Sequence, residues 1–394
     1  MTCQNLFTKK RCRVRKILVA ISACLSLSAF SSAQTIPENE LPCDEVEAKA
    51  LESQDTFSNK ERSNAEIAKR ITAFTPAKPV KRIHPNYPPA AARKGAEGWV
   101  LLSFVTDEKG RVSEIEVEDS SGHRGFKKEA IKAMKKWQYS PAMKDGKPTQ
   151  QCHQQIRLEF AIGGAQGASK KFVSAYQEFE KALGEKDIET ARERLEALHN
   201  RDNLNRYENA FLWSADARFA QQIADEEREL VSISRAIHSS GDLSGNVEYL
   251  STEYVDYLYQ RQFELQVKTL ELANALATYD KIAERNNADA LLAPLETYKE
   301  KVEAVIASEE SIVIPGELDE DGRKYHTLAR NRFGFTDIRG ELDVVEVRCD
   351  TRYEVYTVAE DTVWTIPESW GQCRLLMKGS ELTAFSIVEL PKQV

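Results

Sequence analysis

The chain has 394 residues, with 54 Lys and Arg against 62 Asp and Glu and a formal net charge of −8 at pH 7. That length suffices for two or three domains with their own cores, and the acidic balance excludes a nucleic-acid binder for the chain as a whole. Within it, residues 80–163 carry fifteen Lys and Arg against ten Asp and Glu. A basic segment on an acidic chain suits either an acidic partner or a solvated lysine face, here Lys127, Lys128, Lys132, Lys135 and Lys136 of one helix.

At the N-terminus, Lys9, Lys10, Arg11, Arg13, Arg15 and Lys16 precede an apolar run over 17–30. At ~1.5 Å per residue that run is roughly 21 Å long, short of a hydrocarbon core of ~30 Å. Ser31-Ser32-Ala33 before Gln34 fits a cleavage site, so 1–33 reads as a signal peptide and the expected location is the periplasm. The alternatives are a retained inner-membrane anchor and lipidation at Cys24, which follows Ile21-Ser22-Ala23. Residues 34–79 read as a charged connector with one helix over about 44–72.

From 80 to 163 nearly every position has a definable task. Pro88 and Pro89 suit a first helical turn, and Gly95 stands where a left-handed helix end is wanted. Residues 99–105 alternate as a strand with Val100, Leu102 and Phe104 on one face, and Asp107-Glu108-Lys109-Gly110 makes a hairpin turn. The return strand, 112–118, puts Ile115 and Val117 inside and Glu114, Glu116 and Glu118 outside. A helix over about 125–138 presents Phe126, Ala130, Met134 and Trp137 as its apolar stripe. After the Asp145-Gly146 turn a last strand alternates Ile156, Leu158 and Phe160 against Gln155, Arg157 and Glu159.

Tyr87-Pro88, Gly95, Gly98, Gly110-Arg111-Val112, Ser120-Ser121-Gly122, Phe126, Ala130 and Trp137-Gln138-Tyr139-Ser140-Pro141-Ala142 follow one another with a spacing that resembles the TonB C-terminal domain family. The resemblance covers about a fifth of the chain. It implies a two-helix, three-stranded antiparallel domain that binds a TonB-box-like peptide of an outer-membrane transporter by adding a strand to the edge formed by the last strand. Carried onto this chain, that places partner contacts at Arg82, Asn86, Tyr87, Gln155, Arg157 and Glu159. The family's transducers keep a membrane helix with a polar Ser/His pair and a long Pro-rich rod. Here the apolar run has no histidine or acid, and 34–83 has no repeating X-Pro tract. The resemblance therefore implies an adaptor rather than an energy transducer, the transducer being the alternative if the N-terminal segment is retained.

Residues 170–310 read as helical throughout, with Phe172, Ala175, Phe179 and Ala182 at helical spacing and a turn cluster at Ser239-Ser240-Gly241-Asp242. Small residues at packing positions suggest a tetratricopeptide-like array without a strict 34-residue register; an irregular bundle is the alternative. Residues 325–394 change to period two, and five short strands, 342–349, 353–358, 362–366, 373–377 and 383–390, predict a small β domain with Trp364 and Trp370 as core and turn anchors. The expected fold is thus α+β and multidomain: a TonB-like domain, an all-α region and a small all-β domain.

Of seven cysteines, four lie beyond the leader. Cys349 with Cys373 would staple the β domain, and Cys43 with Cys152 would tie the connector to the TonB-like sheet. No CxxC pair, HExxH, nucleophile elbow or phosphate loop occurs, so neither metal, cofactor nor catalysis is expected. Cys152 and His153 are neighbours, but on a strand they point to opposite faces. The reading is a periplasmic binding or adaptor protein in TonB-dependent transport; the alternative is a structural or assembly protein of the cell envelope.

Overall fold

The computed structural model describes residues 74–163, 167–243, 245 and 247–392. The expected leader, the helix over 44–72 and Cys43 lie outside them. The first layer contains β1 (Phe74–Thr75), β2 (Lys78–Lys81), α1 (Pro89–Lys94), β3 (Gly98–Thr106), β4 (Val112–Ser121), α2 (Gly125–Met134), β5 (Gln138–Ser140), β6 (Ala142–Lys144), β7 (Lys147–Thr149) and β8 (Gln151–Phe160). Pro89 opens α1, and Gly95 closes it at φ 66°, where the amides of Gly95 and Ala96 reach the carbonyls of Ala92 and Ala91. Gly110 has φ 75°, and a Cβ there would meet the Tyr139 carbonyl oxygen at 1.8 Å. The hairpin turn therefore admits only glycine.

The main sheet runs β4-β3-β8, all antiparallel. Val100, Leu102, Phe104, Leu158 and Phe160 on one face pack under Phe126, Ala130 and Met134 of α2, closing the first core. Helix α2 ends at Met134, not near Gln138 as its apolar spacing predicts. The chain turns there because Trp137 is buried with its indole N–H on the Ile83 carbonyl (2.8 Å) and Gln138 pairs with Lys81. Asp145 and Gly146 both take positive φ and form the turn of a short β6–β7 hairpin that the alternation does not reveal.

The helices follow as α3 (Lys170–Gly184), α4 (Ile188–His199), α5 (Arg206–Gln222), α6 (Glu226–Ser239), α7 (Thr252–Lys268), α8 (Leu272–Ala283), α9 (Ala288–Leu292) and α10 (Glu296–Ala307). Side chains of Ser169, Asp187, Asn205, Asp225 and Ser251 cap five of them, Asn205 in a reciprocal box with Glu208. Three hairpins, α3–α4, α5–α6 and α7–α8, close with the same device. A non-glycine residue in the left-handed region (Lys186, Ala224, Leu270) sits between the helices, and the next amide (Asp187, Asp225, Glu271) reaches back to the carbonyl of Ala182, Ala220 or Gln266. Their cores are handed on: α5 gives Leu212, Ala215 and Phe219 to α3 and α4, and Ala210 and Ala217 to α6 and α7. Such nearest-neighbour packing is how a helical array buries its apolar faces. Among the described residues no helix is long and apolar enough to cross a membrane.

The last part is larger than its sequence pattern predicts. Beside β12 (Leu342–Cys349), β13 (Tyr353–Thr357), β14 (Val363–Thr365), β15 (Cys373–Gly379) and β16 (Ala384–Glu389), which match the five expected strands, it includes β9 (Ile312–Glu317), β10 (Arg323–Thr327) and β11 (Arg332–Arg339). They assemble as two four-stranded antiparallel sheets, β10-β15-β12-β13 and β14-β11-β16-β9. Strand β9 contains Pro315 and Gly316, and β11 has Gly334 between two phenylalanines, which blurs the alternation. Phe333, Phe335, Phe385 and Ile387 meet Val345, Val347, Leu375 and Met377 in the core between the sheets. Trp364 stacks on Phe333 (5.5 Å), and Trp370 lies in a short 3-10 turn beside that core. Cys349 and Cys373 are directly opposed on β12 and β15 and form the disulfide the sequence predicts.

Candidate protein-binding edge

Alternation leaves one face of the β4-β3-β8 sheet unaccounted for, the face turned away from α1 and α2. It is not solvated. Glu116, expected to point outward, meets Lys378 (2.7 Å) and Arg323 (3.4 Å), and Glu118 meets Arg374 (2.6 Å), all from the C-terminal sheets. Lys378 also binds Glu346, which in turn holds Arg348 (2.6 Å), and Arg348 donates to the Glu114 carbonyl (2.9 Å). Burial would raise the Glu346 carboxyl, but the hydrogen bonds from Lys378 and Arg348 hold it below the usual carboxylate range. Further along the same face, Asp119 takes both guanidinium arms of Arg235 from α6. Trp99 donates to Ser239 (2.8 Å), and Ser121 links Asn209 and Trp213 of α5. The sheet is therefore enclosed between its own helices on one side and the array and β sheets on the other.

This decides where the six expected partner residues stand. Tyr87 belongs to the core, its ring edge-on to Phe126 and Phe160 and its hydroxyl on the Ala96 carbonyl. Burial pushes that hydroxyl up to about 12. Arg82 is exposed on the same side, its guanidinium 5.2 Å from the Trp137 ring centroid, and Asn86 is exposed beside Tyr87 in sequence. Gln155, Arg157 and Glu159 share the opposite face. Gln155 is exposed and donates to Glu118 (2.5 Å). Arg157 points inward onto the His238 carbonyl and Glu159, and Glu159 is also held by Arg206 (2.5 Å). Of the alternate β8 side chains expected to face a ligand, the two charged ones are thus engaged within the molecule. The residues that hold them, Arg206 and His238, lie far away in sequence and carry no motif.

What stays open is backbone. Strand β8 pairs with β3 alone among the described residues, and the one bond leaving it sideways to another segment runs from the Cys152 amide to the Asp350 carbonyl (3.3 Å), at its beginning. In an antiparallel strand, successive residues aim their N–H and C=O groups alternately at one neighbour and the other. Beyond Cys152, β8 thus offers a row of groups unpaired among the described residues, with exposed Gln155 at its centre. Cys152 itself is buried and bonded to no other cysteine among the described residues, and burial, outweighing the charges of Arg348 and Arg352, pushes its thiol up to about 12. Among the described residues no cluster of His, Cys, Asp or Glu could hold a metal ion.

An edge strand of this kind, under two helices and following a Trp-x-Tyr turn, has relatives. Residues 83–162 match the family described as Gram-negative bacterial TonB protein C-terminal. The chain is 43% identical over 63 residues to Protein tonB2 of Pseudomonas aeruginosa, covering 16% of this chain and 23% of that protein. It is 39% identical over 62 residues to Protein TonB of Xanthomonas campestris pv. campestris, covering 16% of this chain and 28% of that protein. The solution NMR structure of Pseudomonas aeruginosa TonB CTD is similar at 29% identity, covering 23% of this chain and 92% of that one, with a TM-score of 0.21. The chain spans about a quarter of the length of the curated relatives it matches. Every strand of the TonB C-terminal segment's main sheet, and both its helices, fall inside the matched residues.

Proposed function

We propose that this protein is an adaptor of the cell envelope, exported to the periplasm, whose TonB-like segment captures an extended segment of an outer-membrane transporter in TonB-dependent transport. The pairing surface is the backbone of β8, and the observation that supports it is the unpaired run of that strand beyond Cys152. Affinity comes from backbone pairing; Gln155, exposed and bonded at the surface to Glu118, is the β8 side chain placed to contribute to selectivity, because Arg157 and Glu159 are held within the molecule. The helices from α3 to α10, read as a tetratricopeptide-like array with repeating hairpin closures, carry a second docking surface and also fix the pose of the TonB-like sheet. The apolar run over 17–30 has no histidine or acid and 34–83 has no repeating X-Pro tract, which supports an adaptor over a transducer.

Proline at two neighbouring positions of β8 tests this. Of Gln155 and Ile156, one aims its amide at β3 and the other at the open side. In capture of a transporter's N-terminal periplasmic peptide by residues 68–394, Gln155→Pro and Ile156→Pro should therefore separate. One variant loses the β3 pairing and is visibly destabilised. The other stays folded and loses capture of the peptide. If the folded variant of the pair binds like the parent protein, the edge is not the site.

A further inference from the structure

The exposed side of α2, turned away from the β4-β3-β8 sheet it covers, is cationic. Lys127, Lys128, Lys135 and Lys136 are exposed along α2 and just beyond its end. Strand β2 continues the line: Lys81 pairs with Gln138, two residues after Lys136, and Arg82 lies over the intervening Trp137 ring. Lys78, on the same strand, is exposed too. None of these seven cations has an ion-pair partner among the described residues, whereas Glu129, the acid of α2, is taken by Lys132 (3.8 Å). The cations packed against the other face of the sheet differ. Arg206, Arg235, Arg323, Arg374 and Lys378 all have carboxylate partners, on a chain that is acidic overall.

An unpaired cationic strip on an acidic protein orients the molecule toward a negative surface. Two features select the kind of surface. The strip is six lysines to one arginine, and ammonium groups on flexible stems act as hydrated point charges, suited to a diffuse layer of phosphates; planar guanidinium forks suit a built carboxylate pocket. In its midst Val80 is 71% exposed, an apolar side chain between Pro79 and Lys81. Cations around a projecting apolar group form the arrangement that seats on a headgroup layer. We propose that this strip docks the protein onto an anionic phospholipid surface, holding the sheet with its helix layer toward the lipid.

The test is co-sedimentation of residues 68–394, the compact unit that contains every described element, with two kinds of vesicle: phosphatidylcholine alone, and phosphatidylcholine with phosphatidylglycerol. Binding is expected to the second alone, and to be lost at about 1 M salt, where the screening length is about 3 Å. Replacing Lys81, Lys127, Lys128 and Lys136 together by Glu should lower partition by roughly tenfold or more, each cation near an anionic leaflet being worth about a fivefold change. Replacing the same four by Arg keeps the charge and should keep binding. Circular dichroism checks that both variants fold. Equal binding to both vesicles, or binding to phosphatidylglycerol vesicles that survives charge reversal, overturns the proposal. So does capture of a soluble poly-glutamate peptide with no uptake on anionic vesicles, which would assign the strip to an acidic protein.

Discussion

His238 is the group through which acid should loosen the seam between the TonB-like sheet and the helical array. It ends α6 with its ring 5.2 Å from that of Trp99 and its carbonyl receiving Arg157. Part of the residue reaches solvent, but its Nδ1 is buried with no hydrogen-bond partner among the described residues. Burial, with the neighbouring Arg157 charge adding to it, pushes the imidazole down to about 4 from an ordinary value near 6.5. The folded state therefore keeps the ring neutral while the unfolded chain takes up a proton between these values. Stability from this residue is complete above about pH 6.5 and falls as pH drops toward 4. A shift of that size is worth at most about 3 kcal/mol, less where water reaches the ring. The assay is denaturant unfolding of residues 68–394 at a series of pH values, for the parent and for His238→Gln, which is neutral throughout. The parent should lose stability more steeply than the variant between pH 6.5 and 4, and the difference should vanish above pH 7. Parallel curves would refute the argument, showing that the imidazole titrates alike in both states.

Two further outcomes follow from burial. Trp137→Ala removes a ring that is 4% exposed and a hydrogen bond to Ile83, and should cost roughly 3–5 kcal/mol in denaturant unfolding while detaching β2 from β5. Arg348→Ala leaves Glu346 with Lys378 alone and frees the Glu114 carbonyl; a loss of about 3 kcal/mol is expected, with amide exchange accelerating at the contact between β4 and β12.

Much of the candidate site was legible in the residues because its determinants are local. The helix ended by Gly95, the turn that only Gly110 can make, the stripe from Phe126 to Met134 and the strand carrying Ile156, Leu158 and Phe160 each follow from chain geometry within a few residues. The opposition of Cys349 and Cys373 was legible for a similar reason, since neighbouring strands bring them together. The repeated hairpin closures were not: they rest on Lys186, Ala224 and Leu270 in the left-handed region, residues that no turn preference marks, and their unequal spacing hides the repeat.

Sequence alone determined which faces of β3, β4 and β8 are apolar, and hence that helices cover one side; that β8 is an edge was implied by the resemblance to the TonB C-terminal domain family. The sequence could not determine what covers the other side. Glu116 and Glu118 read as outward-facing acids and Glu159 as a ligand contact, while Asp119 carried no signal, because alternation registers only polarity, not partners. Their cations come from Arg206, Arg235, Arg323, Arg374 and Lys378, between 47 and 262 residues along the chain, and are brought near only by packing. A period of two places a side chain on a face; the charge opposite it is set by the tertiary structure. That is why β8 kept its open backbone while the side chains assigned to a ligand, Arg157 and Glu159, were found bound inside the protein.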